Sequence, residues 1–261
     1  MREVSPEVIL EARDLSFAYP KQKSLLLQAC SLKLFGSEIF CLLGPSGAGK
    51  TTLLKLLAGL LKPTQGSIYY LQKPQESYLL KERKRLAKEI TMSFQKGGLL
   101  DWLTVEQNIR FALNELNEGS PEQNKELVDM SLERVGLSHF KKRFIRELSG
   151  GMLKRLSLAR AIALNPKVLL CDDPTAGLDP VTAAEIVKLI QDFQSEKQAS
   201  VLIVTSDLSV AFALSRRMGF LWSGKVMFEG SPSDFKETQE PSLRQFLFGL
   251  QDGPLSEGNH A

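Results

Sequence analysis

One stretch of nine residues restricts the folds open to this chain more than any other. It follows the pattern G-x-x-x-x-G-K-[ST] and consists of Gly44, Pro45, Ser46, Gly47, Ala48, Gly49, Lys50, Thr51 and Thr52. The apolar run before it, residues 39–43, predicts a buried strand, and residues 51–58 are apolar at helical spacing. Gly59 stands where that helix is expected to stop. Strand, glycine-rich loop and helix in this order predict an α/β domain that binds phosphate groups.

The residue types in this loop suit the binding of a triphosphate. Glycines let the backbone approach an anion closely, and the following helix presents N–H groups and the positive end of its dipole. Lys50 would reach the β- and γ-phosphates, and the Thr51 hydroxyl would bind Mg²⁺. The alternative, an ordinary glycine-rich turn, does not account for the strand and the helix that flank the motif.

A second predicted strand, residues 168–173, is apolar until it ends in two carboxylates. Open α/β sheets place their chemistry at the C-terminal ends of such strands. Asp172 would hold Mg²⁺ through water, and Asp173 would face an attacking water as its base or as the group that orients it. The alternative is a solvated strand end without a role, but the phosphate-binding loop elsewhere in the chain favours the catalytic interpretation.

Composition excludes several classes of protein. With 261 residues, 43% of them hydrophobic, the chain is long enough for one domain with a sizeable core and a subdomain. A net charge of +3 gives no support for a nucleic-acid-binding surface. Cys30, Cys41 and Cys171 are isolated, and because Cys41 and Cys171 lie inside apolar strand runs we expect buried core thiols in a reducing compartment rather than metal ligands. The chain shows no signal-peptide core and no run of about 18 apolar residues, so it is not expected to span a membrane.

Residues 96–164 have a helical pattern and predict a helical subdomain inserted into the α/β core. Within it, Ser120 and Gln123 form a predicted capping box after a polar, loop-like stretch at residues 114–119. Later in the chain, Leu243 and the apolar residues that follow it at helical spacing, up to Leu250, predict an amphipathic helix. Its apolar stripe could pack on its own domain or on a partner.

The remaining segments alternate between short strands and helices. We predict strands at residues 8–12, 31–35, 67–71, 89–94 and 200–205, helices at 81–88, 180–197 and 208–216, and a hairpin at 219–230. Tyr19, which lies at a turn after the first strand, could stack on a purine base or could equally be a packed surface aromatic.

Residues 148–152, with the sequence LSGGM, precede a predicted helix that runs to Leu164. Ser149 is a natural N-cap, and Gly150 and Gly151 at the helix start make a second anion site. With two phosphate sites in one chain, the sequence resembles the ABC-type ATPases, in which the LSGGQ signature of one subunit closes on the nucleotide of the other.

This resemblance implies an α/β P-loop NTPase core with an inserted helical subdomain and a small antiparallel β region. It implies ATP and Mg²⁺ as ligands, Tyr19 at the adenine-stacking position, and contacts from Ser149, Gly150 and Gly151 to the γ-phosphate. It also implies that Gln95 senses Mg²⁺ and touches a membrane partner, and that residues 176–179 form the D-loop.

A narrower resemblance is to the ATPase subunit of Mla-type transporters, which move phospholipid between the bacterial inner and outer membranes. Met152 replaces the usual glutamine of the signature, and residues 94–105 and 244–254 are similar too. The resemblance implies a homodimer beneath two copies of an integral-membrane permease, with a periplasmic lipid-binding subunit and no nucleic acid. The chain would be peripheral, at the cytoplasmic face of the bacterial inner membrane. It implies an ABC ATPase domain at residues 1–240 and a C-terminal helix and tail at 241–261 that reach the neighbouring subunit.

Two residues depart from the family pattern. Asp173 stands where the family usually has glutamate, and Ser206 stands where it usually has histidine. Aspartate is one methylene shorter, and a misplacement of about 1 Å can lower a rate about a hundredfold. Serine can form a hydrogen bond but is too short to reach as an imidazole does.

Three interpretations remain open at this point. The first is a slow but working ATPase with Asp173, Lys50, Gln95 and Ser206 as its catalytic residues, favoured because the other motifs are intact. The second is a module that closes on ATP but hydrolyses little of it. The third, a soluble ABC protein acting on ribosomes or DNA, usually has two cassettes or a long coiled-coil insertion, and this chain has one cassette and no such insertion.

Overall fold

A computed structural model describes residues 7–20, 24–95, 98–116 and 119–257. The chain divides into two compact units, one made from residues up to 76 and from 202 onward, the other from residues 77–201. The strands are β1 (Val8–Phe17), β2 (Leu27–Phe35), β3 (Ile39–Leu43), β4 (Gln65–Tyr70), β5 (Lys73–Pro74), β6 (Ile90–Ser93), β7 (Val168–Asp172), β8 (Ser200–Thr205), β9 (Arg217–Trp222) and β10 (Lys225–Gly230). The helices are α1 (Lys50–Leu57), α2 (Leu80–Glu89), α3 (Val105–Leu116), α4 (Pro121–Arg134), α5 (Gly150–Ala163), α6 (Pro180–Lys197), α7 (Leu208–Leu214), α8 (Pro232–Glu237), α9 (Pro241–Phe248) and α10 (Pro254–Glu257).

The first unit contains an antiparallel sheet with the strand order β2-β1-β4-β5. Its β1 continues to Phe17, five residues beyond the predicted end, because β2 and β4 pair with it on both sides. The strand β4 likewise begins early, since Gln65 pairs with Ser16 across a register shift. The small antiparallel β region predicted from the sequence is therefore confirmed and is larger than expected.

The same unit contains four strands of the main sheet in the order β10-β9-β3-β8, where β8 belongs to this unit from Leu202 onward. The buried strand β3 runs parallel to β9, with Leu43 opposite Phe220. The hairpin of β9 and β10 turns at Ser223 and Gly224, as predicted. β3 is apolar along its length and β8 is apolar between its two end residues, as strands covered on both faces are.

The C-terminal helix α9 packs on its own unit. Leu243 is fully buried, and the Phe246 ring lies 5.4 Å from the ring of Phe220. The predicted apolar stripe is wrong at Leu250, because Gly249 ends the helix in the left-handed conformation and Leu250 lies beyond it, half exposed.

In the second unit, helices α3, α4 and α5 enclose a buried apolar cluster. Its members are Val105, Ile109, Leu113, Val128, Leu132, Val135, Leu137, Leu156, Ala159, Ala163 and Leu164. The predicted capping box is confirmed, since Ser120 Oγ accepts from Gln123 N and Gln123 Oε1 accepts from Ser120 N. The loop predicted from residue 114 is wrong over residues 114–116, because α3 continues there and Asn114 accepts a hydrogen bond from Asn124 of α4. Residues 117–118 of that stretch lie outside the described residues.

The three cysteines are fully buried, as predicted. Burial raises the pKa of the Cys30 thiol to about 11 and that of Cys41 to about 12, so both stay protonated at neutral pH. Within the described part of the chain, none of the helices has the length and apolar character needed to cross a membrane.

Candidate active site

The glycine-rich loop joins β3 to α1, as predicted, and two of its positions favour glycine, one because space is lacking and one because of the backbone conformation. A Cβ at Gly44 would lie 2.4 Å from the main-chain oxygen of Leu221. Gly49 is the N-cap of α1 at φ +99°, in the left-handed region that favours glycine. The loop is thus held tightly against its unit while the helix N-terminus points into it, which is the arrangement that binds phosphate.

Lys50 is folded over this loop. Its Nζ donates to the main-chain oxygen of Gly44 at 2.5 Å and to that of Pro45 at 2.8 Å. The ammonium group is therefore held at the loop itself, where phosphate oxygens could replace the two carbonyls as its hydrogen-bond acceptors.

Tyr19 lies beside the end of the same loop. Its hydroxyl is 3.0 Å from Thr52 Oγ1, and its ring meets Phe17 edge-on with 4.9 Å between ring centroids. The ring is half-buried, so it is fixed in place and keeps part of its surface open. The structure thus brings Tyr19 and the loop together.

Ser206 follows β8, the neighbour of β3 in the strand order, and is exposed. The next residue, Asp207, caps α7 and accepts hydrogen bonds from Ser209 N at 2.9 Å and from Ser209 Oγ at 2.6 Å. The Asp207 carboxylate is thus used to start a helix, and the polar side chain presented at this strand end is the Ser206 hydroxyl.

In the second unit, the structure brings two of the predicted catalytic residues together. Gln95 follows β6 and Asp173 follows β7, and these strands run parallel with Ser93 opposite Cys171. Gln95 Nε2 donates to Asp173 Oδ2 at 3.2 Å. Asp172, the last residue of β7, is 5% exposed. The carboxyl edge of these strands therefore presents a buried and a half-buried carboxylate side by side in sequence.

A residue that the sequence analysis did not single out also contacts Asp173. Lys154 of α5 donates from Nζ to the main-chain oxygen of Asp173 at 2.9 Å. The sequence carried no signal for it, because the contact joins a side chain on α5 to a main-chain oxygen beyond β7.

The LSGGM stretch forms the start of α5, as predicted. Ser149 is its N-cap and accepts at Oγ from Met152 N at 3.3 Å. Ser149 and Gly150 are exposed, and a Cβ at Gly150 would meet no atom within 4 Å. Met152 packs against the apolar cluster of the helices, which explains why an apolar side chain suits this position.

The predicted D-loop ends at Asp179, which caps α6. Its carboxylate accepts from Thr182 Oγ1 at 2.6 Å and from the N–H groups of Val181 and Thr182 at 3.0 Å. These hydrogen bonds, that of the Thr182 hydroxyl above all, hold the pKa of Asp179 below its usual value. The carboxylate is therefore charged at neutral pH.

A cavity of about 530 Å³ lies in the second unit. Its wall includes Phe94, Gln95, Leu99, Ile145, Gly150, Leu153 and Lys154. The two side chains that hold Asp173 therefore border an open space of the size that ligand sites have.

Asn108 of α3 organises the loop at residues 100–104. It is 1% exposed, accepts from Leu100 N at 2.8 Å, and donates to the main-chain oxygens of Leu100 at 3.2 Å and Thr104 at 3.0 Å. The loop also carries Trp102, whose side chain is 71% exposed. One buried amide thus fixes a loop that presents an aromatic ring to its surroundings.

We expect Asn108→Leu to lower the free energy of unfolding by about 2–3 kcal/mol, because several partly buried main-chain groups of the loop would lose their hydrogen-bond partner. Urea unfolding followed by tryptophan fluorescence measures this change. Gln191→Leu, which removes an exposed amide of α6 in the same unit, is the matched control. Equal unfolding midpoints for the two variants would contradict the role given to Asn108.

Comparison with known proteins places this chain in a family. The sequence family described as ABC transporter matches residues 27–176. The chain is 35% identical to the chloroplastic protein TRIGALACTOSYLDIACYLGLYCEROL 3 of Arabidopsis thaliana, over 97% of this chain and 77% of that protein. It is 34% identical to the probable ribonucleotide transport ATP-binding protein mkl of Mycobacterium leprae, over 95% and 71%. It is also 34% identical to the intermembrane phospholipid transport system ATP-binding protein MlaF of Escherichia coli K12, over 97% and 93%.

Solved structures agree with this placement. The dimeric post-hydrolysis state of the ATP-binding cassette MJ0796, bound to ADP and Pi, superposes with a TM-score of 0.79 at 28% identity, over 85% of this chain and 98% of that one. The predicted α/β P-loop NTPase fold is therefore confirmed. With a family match over more than half of its length, this chain belongs to the ABC transporter family, as an ATP-binding subunit.

Proposed function

We propose that this chain hydrolyses ATP to drive the transport of phospholipid or a related lipid between the inner and outer membranes of a bacterium. The observation that carries the hydrolytic part is the hydrogen bond from Gln95 Nε2 to Asp173 Oδ2, at the carboxyl edge of two parallel strands. It gives the shorter carboxylate a fixed orientation, which a general base or water-orienting group needs. The lipid cargo is supported by the likeness to MlaF along nearly the whole of both chains.

In the first unit the loop from Gly44 to Thr52 would hold the phosphates, Tyr19 would stack on the base, and the Ser206 hydroxyl would bind the γ-phosphate through water. In the second unit Asp173 would act on the attacking water with Gln95 holding its carboxylate. Lys50 would stabilise the negative charge that develops on the phosphate.

The residues also fit Mg²⁺. The Thr51 hydroxyl, the Gln95 amide and the Asp172 carboxylate offer the oxygen donors that this ion prefers. The described residues hold no group of three or more His, Cys, Asp or Glu side chains that could bind a metal by itself. Each of these residues would therefore need phosphate oxygens and water as further ligands of the ion, and a bound ion would neutralise phosphate charge.

A second copy of the chain would complete each site. The start of α5 at Ser149, Gly150 and Gly151, of which the first two are exposed, offers a helix N-terminus to an anion, which is the chemistry that a nucleotide on a partner subunit requires. The homodimer is supported by the dimeric state of the MJ0796 cassette.

The loop after Gln95 would contact the permease. Trp102 is 71% exposed and Phe144 is 39% exposed, and main-chain bonding ties the neighbouring residues, with Val105 N donating to Arg143 O at 2.9 Å. Exposed aromatic side chains on an anchored loop suit an apolar protein partner. Two ATPase copies would bind two permease subunits at the cytoplasmic face of the inner membrane, with a lipid-binding subunit on the periplasmic side.

The cargo is tested with the chain purified together with its membrane subunits and reconstituted in vesicles of phosphatidylethanolamine and phosphatidylglycerol. We expect ATP-dependent movement of fluorescent phosphatidylglycerol to acceptor vesicles, and no ATP-dependent uptake of ribonucleotides. Uptake of a ribonucleotide without lipid movement would overturn the lipid proposal and favour the activity for which the mkl protein is named.

A further inference from the structure

We propose that Lys154 is a positioning residue: by binding the main-chain oxygen of Asp173, it fixes where the Asp173 carboxylate lies. The proposal rests on the proposed ATPase function and adds a part to it. Lys154 Nζ donates to the main-chain oxygen of Asp173 at 2.9 Å, while Gln95 Nε2 donates to the carboxylate of the same residue at 3.2 Å. One residue is therefore gripped at both its main chain and its side chain.

The main chain of Asp173 needs such support. Its φ is +46°, in the left-handed region that L residues with a Cβ rarely adopt. Such a conformation persists where the surroundings hold it in place. The same carbonyl accepts a second hydrogen bond, from Ala176 N at 3.3 Å, so Lys154 also secures the start of the segment that leads to Asp179.

A fixed main chain at position 173 matters more for the placement of an aspartate carboxylate than for that of a glutamate. Only two side-chain torsions lie between the Asp173 backbone and its carboxylate, so a shift of the backbone moves the carboxylate almost equally. Glutamate has a third torsion with which to correct such a shift. The shorter acid of this chain therefore depends on the place of its main chain, and misplacements of about 1 Å are large in catalysis.

Lys154 lies on a helix that is itself held in place by packing. It lies on α5 beside Arg155, which donates to Val135 O at 3.4 Å, and two residues before Leu156, which is fully buried in the helical cluster. Its contact with the carbonyl is charge-assisted and therefore stronger than a neutral hydrogen bond. Because α5 also begins at Ser149, one helix links the signature to the main chain of Asp173.

The test compares Lys154→Met, Lys154→Arg and the control Lys188→Met, an exposed lysine of α6. Loss of one charge-assisted hydrogen bond predicts a fall in kcat of about 10- to 100-fold in Lys154→Met, with KM for ATP changed less than about twofold. Lys154→Arg should restore most of kcat, because the guanidinium can donate to the same oxygen. Adding Lys154→Met to an Asp173→Glu variant should lower kcat by a smaller factor than Lys154→Met does in the wild type, because the longer glutamate side chain can adjust to a shifted backbone.

Unchanged kcat in Lys154→Met would overturn the proposal, as would a raised KM with a lowered unfolding midpoint or a failure of Lys154→Arg to rescue. If the wild type itself turned over no faster than Lys50→Ala, the proposed function would fail instead. In that case, amide hydrogen exchange at Ala176 tests the contact between Lys154 and Asp173 independently of ATP turnover. Faster exchange in Lys154→Met than in Lys188→Met supports the contact, and equal exchange refutes it.

Discussion

Replacing Lys50 with alanine is expected to lower ATP turnover by about 100- to 1,000-fold, the effect of removing one donor to the charge of a transition state. In the structure the Lys50 ammonium lies over the loop, bonded to the main-chain oxygens of Gly44 and Pro45. A phosphate bound in the loop would give the Lys50 ammonium a charged hydrogen-bond acceptor in place of these two neutral carbonyls. The alanine variant loses this interaction with the phosphate.

Lys55→Ala is the matched control for this variant. Lys55 lies in the same helix, in its last turn, away from the loop. Turnover measured by phosphate release should fall in Lys50→Ala and stay near the wild-type rate in Lys55→Ala. Equal rates for Lys50→Ala and the wild type would show that the loop does not support hydrolysis.

Asp173→Asn is expected to lower kcat by about 100- to 10,000-fold, the range for loss of a general base. Asparagine keeps the size of the side chain, and its Oδ1 can still accept from Gln95 Nε2, as Asp173 Oδ2 does at 3.2 Å. The variant therefore removes the negative charge while leaving the geometry in place. Asp173→Glu keeps the carboxylate, so its turnover should lie far above that of Asp173→Asn.

Asp192→Asn serves as the control for Asp173→Asn, because it removes a carboxylate from the exposed face of α6 in the same unit. ATP affinity, measured by titration with a fluorescent analogue, should be similar in Asp173→Asn and the wild type. A loss of affinity that matches the loss of turnover would assign Asp173 to binding rather than to hydrolysis.

The sequence was most informative where backbone chemistry and local pattern agree. The helix predicted at residues 180–197 has those bounds in the structure, because Asp179 caps it, Pro180 suits its first turn, and Gln198 ends it in the left-handed conformation. The strand, loop and helix around Lys50 were predictable for the same reason, since each signal is local.

Predictions failed where neighbours in space decide the outcome. The early stop predicted for β1 was wrong because pairing with two other strands extends it through irregular register around Asp14, which has a positive φ. The C-terminal stripe was extended too far because apolar spacing was followed past Gly249, although glycine is a local helix stop.

The contact of Lys154 with Asp173 could not be read from the sequence, because it joins a side chain on one helix to a main-chain oxygen beyond a distant strand. No periodicity records such a bond. The pairing of Gln95 with Asp173 was partly foreseeable, since residues that follow neighbouring parallel strands meet at one edge of the sheet.

Steady-state ATP turnover of the chain in complex with its membrane subunits tests the central claim most directly. The series comprises the wild type, Lys50→Ala, Asp173→Asn, Asp173→Glu, and Asp173→Glu combined with Ser206→His. We predict that the wild type hydrolyses ATP and that Asp173→Asn abolishes this activity. This result would identify Asp173 as the catalytic carboxylate. If the wild type matches Lys50→Ala while Asp173→Glu with Ser206→His restores turnover, the chain binds ATP without hydrolysing it, and the account is contradicted.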